Sequence, residues 1–350
     1  MFSFVVLSLF VRLIAAAPAN GGPSIEVGLV SGDSPLSVIS TVSNTGNGDV
    51  SVMKFAPLLS SNPIKHFRVF DASGAELQFG GISAFFDIAR AGGEAWEAIS
   101  AGQSIDRTIN LAESFTFPAA GEYTVAAAGV FQVLEGTYSA DAASASEFVE
   151  YAKNLTISIS EDDVAASATR RSFLQKRLML GTCTSSQAPI YREDFAGVKR
   201  LATRAVERTR ARDSKFATWF GTTEAHYFDF VANTFQKIED ASTVSTTSNI
   251  IANCNDPTNH CSGGIIAYAV HPVGIEGRGQ IYTCPSYWTL PPYPTTCSGY
   301  GRADVMLHEL SHFYDVTDHA YGFDAAKKLT PALAAHNADT YMFYARSLNC

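Results

Sequence analysis

The sequence predicts a multidomain chain in which an N-terminal all-β, sandwich-like half precedes an α+β half that is mainly helical. Three observations carry this. A length of 350 residues suits about two domains. Residues from about 22 to 158 hold short alternating or apolar runs, among them SIEVGLV, LSVISTVSN, VSVMKFAP, FRVFDA, YTVAAAGVFQV and LTISIS. Gly/Asn/Asp/Ser clusters separate these runs roughly every ten residues, the rhythm of a small sandwich. Downstream the period changes: 191–212 and 223–239 read as amphipathic helices, GIIAYAV (264–270) and GQIYTC (279–284) as strands. The segment ADVMLHELSHF and a last stretch from about Asn337 to Ser347 read again as helices.

Composition excludes several classes. Apolar residues make up 46% and charged residues 17% of the chain, which fits a folded protein and argues against disorder. The formal net charge is −9. Residues 1–177 hold 11 Lys+Arg against 18 Asp+Glu, whereas 178–350 hold 14 against 16, so the acidic excess belongs to the first half. An acidic chain without a broad basic surface is a poor nucleic-acid binder. The one basic cluster, Lys199 to Lys215, has interspersed acids and helically spaced apolar residues, as a solvated helix face does.

The first residues, MFSFVVLSLFVRLIAAAPANG, form an apolar run interrupted by Arg12 and ending in small residues. That run is too short and too charged to span a bilayer and reads as a secretory signal peptide over 1–19, with Ala19 the last residue removed. No later segment is apolar enough to cross a membrane. The six cysteines, Cys183, Cys254, Cys261, Cys284, Cys297 and Cys350, all lie in the second half, and no CxxC pair occurs. An even count behind a leader predicts three disulfides made in an oxidising compartment, although spacing alone does not choose their pairing.

Residues 20–177 read as a β-rich pro-region. Its polar tail carries the basic pairs Arg170-Arg171 and Lys176-Arg177, targets for a processing protease in a secreted chain. Cleavage after Arg177 would leave 178–350, which holds every cysteine. The β-rich half also carries Asn154-Leu155-Thr156, an acceptor sequon for N-glycosylation.

The chemistry is concentrated in LHELSHFYDVTDHAYG (307–322). His308 and His312 stand four residues apart with Glu309 between them, so on a helix both imidazoles reach one ion from one face. A catalytic zinc takes three protein ligands and keeps one position for water. No glutamate follows Glu309, which closes the option of a downstream glutamate ligand. In the HExxHxxGxxH pattern the glycine position is Asp315 and the third-ligand position is Asp318. Asp324, Asp339, His319 and His336 are the other downstream candidates. Asp318 is near enough in sequence to fold back onto the ion once the helix ends near Phe313 or Tyr314.

HELSH followed by TDHAYG resembles the deuterolysins, the aspzincin metalloendopeptidases, whose signature is HExxH followed by GTxDxxYG. Asp318, Tyr321 and Gly322 match its D, Y and G, while Asp315 and Val316 stand where its Gly and Thr belong. NADTYMFYA (337–345) is similar to a helix near that family's C-terminus, and the leader, β-rich segment and dibasic junction are similar to its precursor layout. The resemblance implies a secreted, zincin-type zinc endopeptidase made as a zymogen, acting as a monomer on protein or peptide substrates. One Zn²⁺ per chain would be held by His308, His312 and Asp318. Glu309 would act as general base, and Tyr321 would donate to the oxyanion. It also implies the pairs Cys183–Cys254, Cys261–Cys284 and Cys297–Cys350. Asp339 is a candidate either to steady a ligand histidine or to line the substrate cleft. Lysine-selective relatives carry a second acid three residues after it, where this chain has Met342. His319 and His336 read as surface histidines.

Two other readings compete. A metzincin-like protease lacks support because Gly is missing at 315 and no convincing Met-turn is present. A non-catalytic adhesion or binding protein with a vestigial zinc site would not need Glu309. N-terminal sequencing of the secreted protein is expected to begin at Leu178; active protein that begins near residue 20 would make the β-rich half permanent.

Overall fold

The computed structural model describes residues 22–55, 57–139, 146–168, 183–242, 250–257, 259–271 and 279–350. The expected leader and the junction with Lys176 and Arg177 lie outside the described residues. The fold is mixed α/β, with a β-rich N-terminal part and a helical C-terminal part around a small sheet.

In the N-terminal part the strands are β1 (Ile25–Ser31), β2 (Ser37–Asn44), β3 (Val50–Met53), β4 (Arg68–Asp71) and β5 (Ile82–Phe86). They are followed by β6 (Trp96–Ile99), β7 (Ser104–Asn110), β8 (Gly121–Glu135) and β9 (Glu147–Ile159). One antiparallel sheet runs β1-β2-β7, and another runs β4-β8-β3-β6 with β9 along β8. Burial alternates along β2, where Val38 and Val42 are fully enclosed, because successive side chains point to opposite faces of a sheet. These valines share a core with Val52, Val125, Phe131 and Ile157 of the second sheet, which makes the sandwich. Asn154 is exposed on β9.

The C-terminal part contains helices α1 (Gln187–Arg210), α2 (Lys215–Phe220), α3 (Ala225–Ala241), α4 (Arg302–Ser311) and α5 (Ala338–Ser347), with strands β10 (Ile250–Asn253), β11 (Ile265–Val270) and β12 (Gly279–Thr283). The predicted elements fall within a few residues of these. In the basic cluster, Lys199, Arg200, Arg204 and Arg208 on α1 face solvent. Among the described residues no helix is long and apolar enough to cross a membrane.

The sequence reading missed β5, β6 and β7. The first matters most, because β5 belongs to the other half's sheet. Its order is β10-β12-β11-β5, with β5 antiparallel to β11 and Ile82 opposite Val270. All five residues of β5 are buried, so the strand shows no polar alternation. Such a continuous apolar run is the signature of a strand covered on both faces. A third core accordingly joins the halves: Met53, Phe86 and Trp96 meet Tyr268, Tyr282 and Tyr321.

Helix α4 carries the histidine motif and is enclosed on every side, with each residue after Arg302 buried. At its start the Gly301 amide donates to Asp304 Oδ2 at 2.8 Å, which satisfies a backbone donor that helix geometry leaves unpaired. Arg346 of α5 donates to Asp304 Oδ1 from Nε at 2.9 Å and from Nη2 at 2.6 Å. A second pair, Arg302 Nε to Asp194 Oδ2 at 3.0 Å, ties α4 to α1. Disulfides join Cys183 to Cys254, Cys261 to Cys284 and Cys297 to Cys350. The last anchors the chain end to the loop before α4.

Removing one member of a buried ion pair strands the other charge. Arg346→Ala is therefore expected to destabilise by about 3–5 kcal/mol in denaturant titrations, whereas Asp304→Leu combined with Arg346→Met recovers most of that loss.

Candidate metal centre

The helical spacing of α4 brings the His308 and His312 rings to 4.8 Å between centroids. His312 opens a short 3-10 turn that ends at Asp315, whose backbone is left-handed at φ 63° and ψ 31°. This conformation favours glycine, and Asp tolerates it better than most residues because its short side chain bonds locally. The turn is thus made without the expected glycine. The chain then doubles back, and Asp318 sits over both rings: Oδ1 lies 3.3 Å from His308 Nε2 and Oδ2 lies 3.4 Å from His312 Nε2.

The returning loop is held by the segment that starts α5. Thr317 N donates to His336 O at 2.8 Å, and Ala338 N donates to Thr317 O at 2.9 Å. Asn337 is fully buried, and its Oδ1 accepts from the amides of His319 at 2.8 Å and Ala320 at 3.0 Å. The sequence reading gave Asn337 no role. The signal for it was the NAD stretch itself, since a buried amide side chain beside a turn commonly caps backbone groups.

Asp339 stands behind His308. Its Oδ1 lies 2.9 Å from His308 Nδ1, and its Oδ2 accepts from Gly322 N at 2.6 Å. Only 2% of the residue is exposed, and its carboxylate faces the His308 ring and the Gly322 amide. Gly322 has φ 99°, a backbone state open to glycine and strained for other residues. His312 Nδ1 lies 3.1 Å from Val316 O. Each Nδ1 thus lies within about 3 Å of an oxygen, Asp339 Oδ1 or Val316 O, while both Nε2 atoms lie near Asp318.

Electrostatics follow from this crowding. Burial alone would lower the His308 pKa, but Asp318 and Asp339 carry it up to about 10. Burial, reinforced by His308, takes His312 down to about 4 despite Asp318. Burial would raise Asp318, yet the two imidazoles hold its carboxyl below the usual range. Glu309 is pushed up to about 8, chiefly by burial, with His308 and the Phe85 amide pulling the other way. The Tyr321 hydroxyl is driven well above its ordinary value by burial and then by Asp318.

His308 Nε2, His312 Nε2 and Asp318 Oδ1 are buried with no hydrogen-bond partner, and so is Glu309 Oε2. His308, His312 and Asp318 each offer a ligand atom within 4.8 Å of the others. Orphaned buried polar atoms cost free energy unless something satisfies them, and two imidazole nitrogens with one carboxylate oxygen are a zinc donor set. The residues therefore fit the ion. Of the two expected surface histidines, His336 keeps 38% of its side chain exposed, while His319 is more enclosed. Both are half-buried and, with His312 and Asp318, line a cavity of about 1090 Å³ between the two halves of the chain. Asp324 remains outside the group, in a contact with Lys327.

The chain is similar to several known proteins. Residues 205–346 match the aspzincin family, described as lysine-specific metallo-endopeptidase. A neutral protease 2 homolog of Pyricularia oryzae is 28% identical over 89% of this chain and 88% of its own length. Neutral protease 2 homolog MEP5 of Coccidioides posadasii is 25% identical over 98% of this chain and 97% of its own. Among solved structures, a zinc peptidase from Grifola frondosa matches with a TM-score of 0.39 and 23% identity, over 47% of this chain and 97% of that one.

Metal binding must displace the proton that His308 keeps up to about pH 10, so raising the pH favours the metal-bound form. Zinc affinity measured against a chelator is expected to tighten from pH 6 to pH 9. Asp339→Asn is expected to weaken it by about 10–100-fold at a fixed pH.

Proposed function

We propose that the chain, whose residues 205–346 match the aspzincin family model, is a deuterolysin-type zinc metalloendopeptidase, a secreted zymogen in which Glu309 is the general base for peptide-bond hydrolysis. The single observation that carries this reading is the position of Glu309. It is fully buried beside three convergent ligand atoms, and its Oε1 accepts from a backbone amide, Phe85 N, at 2.9 Å.

His308, His312 and Asp318 would hold one zinc ion, which when bound would lower the pKa of water and polarise the scissile carbonyl. Glu309, raised to about 8 without metal, accepts the proton of the attacking water and returns it to the leaving amine. Tyr321, kept protonated by burial and by Asp318, donates its hydroxyl to the oxyanion as charge develops there. Asp339 fixes the His308 ring from behind. Selection for lysine by a pair of acids is not part of this reading, because Met342 occupies the second position and is fully buried.

Secretion rests on the leader-like first residues and the three disulfides. The zymogen rests on the dibasic pair at Lys176-Arg177. In protein ending its pro-region at Arg177, Glu309→Gln is expected to keep stoichiometric zinc and lose at least about 100-fold in casein hydrolysis. Equal hydrolysis by the variant would remove Glu309 from the chemistry. Absence of hydrolysis by the zinc-loaded parent would favour a binding protein.

A further inference from the structure

An endopeptidase must admit an extended peptide to its catalytic carboxylate, yet Glu309 and His308 are fully enclosed. The element that covers them is β5, contributed by the other half of the chain. It is the outermost strand of its sheet. Without it, β11 would present an unpaired row of amides and carbonyls beside α4, the kind of edge on which extended peptides add as a further strand.

The seating of β5 is substrate-like in three respects. Its backbone runs antiparallel along β11, with Ala84 opposite Tyr268 and Ser83 opposite Ala269. Phe85 donates its backbone amide to Glu309 Oε1 at 2.9 Å, so the β5 backbone reaches the carboxylate directly and satisfies one of its oxygens. Side chains fill both faces: the Phe85 ring meets His308 and Tyr300 edge-on at 5.0 and 4.8 Å, and the Phe86 ring meets Tyr321 at 5.3 Å. Ser83 Oγ lies 2.9 Å from His271 Nε2. No disulfide joins the halves, since all six cysteines lie beyond residue 182.

We propose that β5 is a strand-shaped inhibitor donated by the N-terminal half, seated on the β11 edge with the Ala84–Phe85 peptide where a substrate's scissile bond would lie. The inference rests on the peptidase reading for its meaning, though the seating itself does not depend on activity. Phe85 is the anchor, because it alone in β5 joins a backbone contact with Glu309 to a ring contact with His308. Scission after Arg177 removes the covalent link, and exchange of β5 for a substrate strand then opens the site.

The test uses the full chain kept uncut by Lys176→Gln and Arg177→Gln, loaded with zinc. Hydrolysis of a quenched-fluorescence peptide and backbone hydrogen exchange are measured in parallel. Phe85→Asp is expected to raise hydrolysis at least tenfold and to speed exchange of the 265–270 amides by a similar factor, with α1 exchange unchanged as the check on folding. Phe85→Ala, a milder change, is expected to shift both readouts in the same direction. Equal exchange across 265–270 in the parent and both variants overturns the proposal. So does Glu309-dependent hydrolysis that is as fast in the uncut parent as in the variants. Faster exchange without hydrolysis in any form upholds the seated strand and counts against the peptidase reading.

Discussion

Three buried polar atoms that converge on one point, from His308, His312 and Asp318, are what the rest of the molecule is built to tolerate. Two imidazole nitrogens and a carboxylate oxygen in a nonpolar surround are a liability of several kcal/mol unless a cation resolves them. They stay together because every element behind them is fixed. Asp339 links His308 to Gly322, and Asn337 clamps the amides after Asp318. Arg346 binds α5 to the first turn of α4 through Asp304. The loop bearing Asp318 is thus braced from the helix that closes the chain.

This bracing explains how an irregular segment holds the Asp318 carboxylate in one place. Loops are mobile when few buried bonds hold them. Here the segment from Val316 to Gly322 is held by backbone pairing at Thr317, by Asn337 and by Asp339. Ala320 and Tyr321 are buried in the cores beneath. A departure from the expected glycine at 315 is absorbed where it occurs, in one left-handed residue, without displacing Asp318.

The legible part of the structure was the part governed by local rules. Four-residue spacing put His308 and His312 on one helical face, and the alternation in β2 marked a half-buried strand. The placement of Asp318 over both rings was readable from its nearness to His312 and from the pattern it shares with a family. The β5 strand was not readable, because five consecutive buried residues have no period. Its partner β11 lies some 180 residues further along the chain, and no short-range signal specifies such a pairing. Asp339 was ambiguous for a related reason: its sequence position allows either a cleft or a supporting role, and its closeness to Gly322 N and His308 Nδ1 comes from tertiary packing. Asn337 was overlooked since a polar residue before a helix has many bland explanations.

The order of synthesis gives the α5 contacts a further significance. A ribosome delivers the chain from its N-terminus, so Asn337, Asp339, Arg346 and Cys350 emerge after every other component of the centre. Until they emerge, the loop of Asp318 has no clamp, His308 has no carboxylate behind it and Asp304 has no counter-charge. A nascent chain therefore exposes β5 and β11 to each other long before the ligand set is assembled.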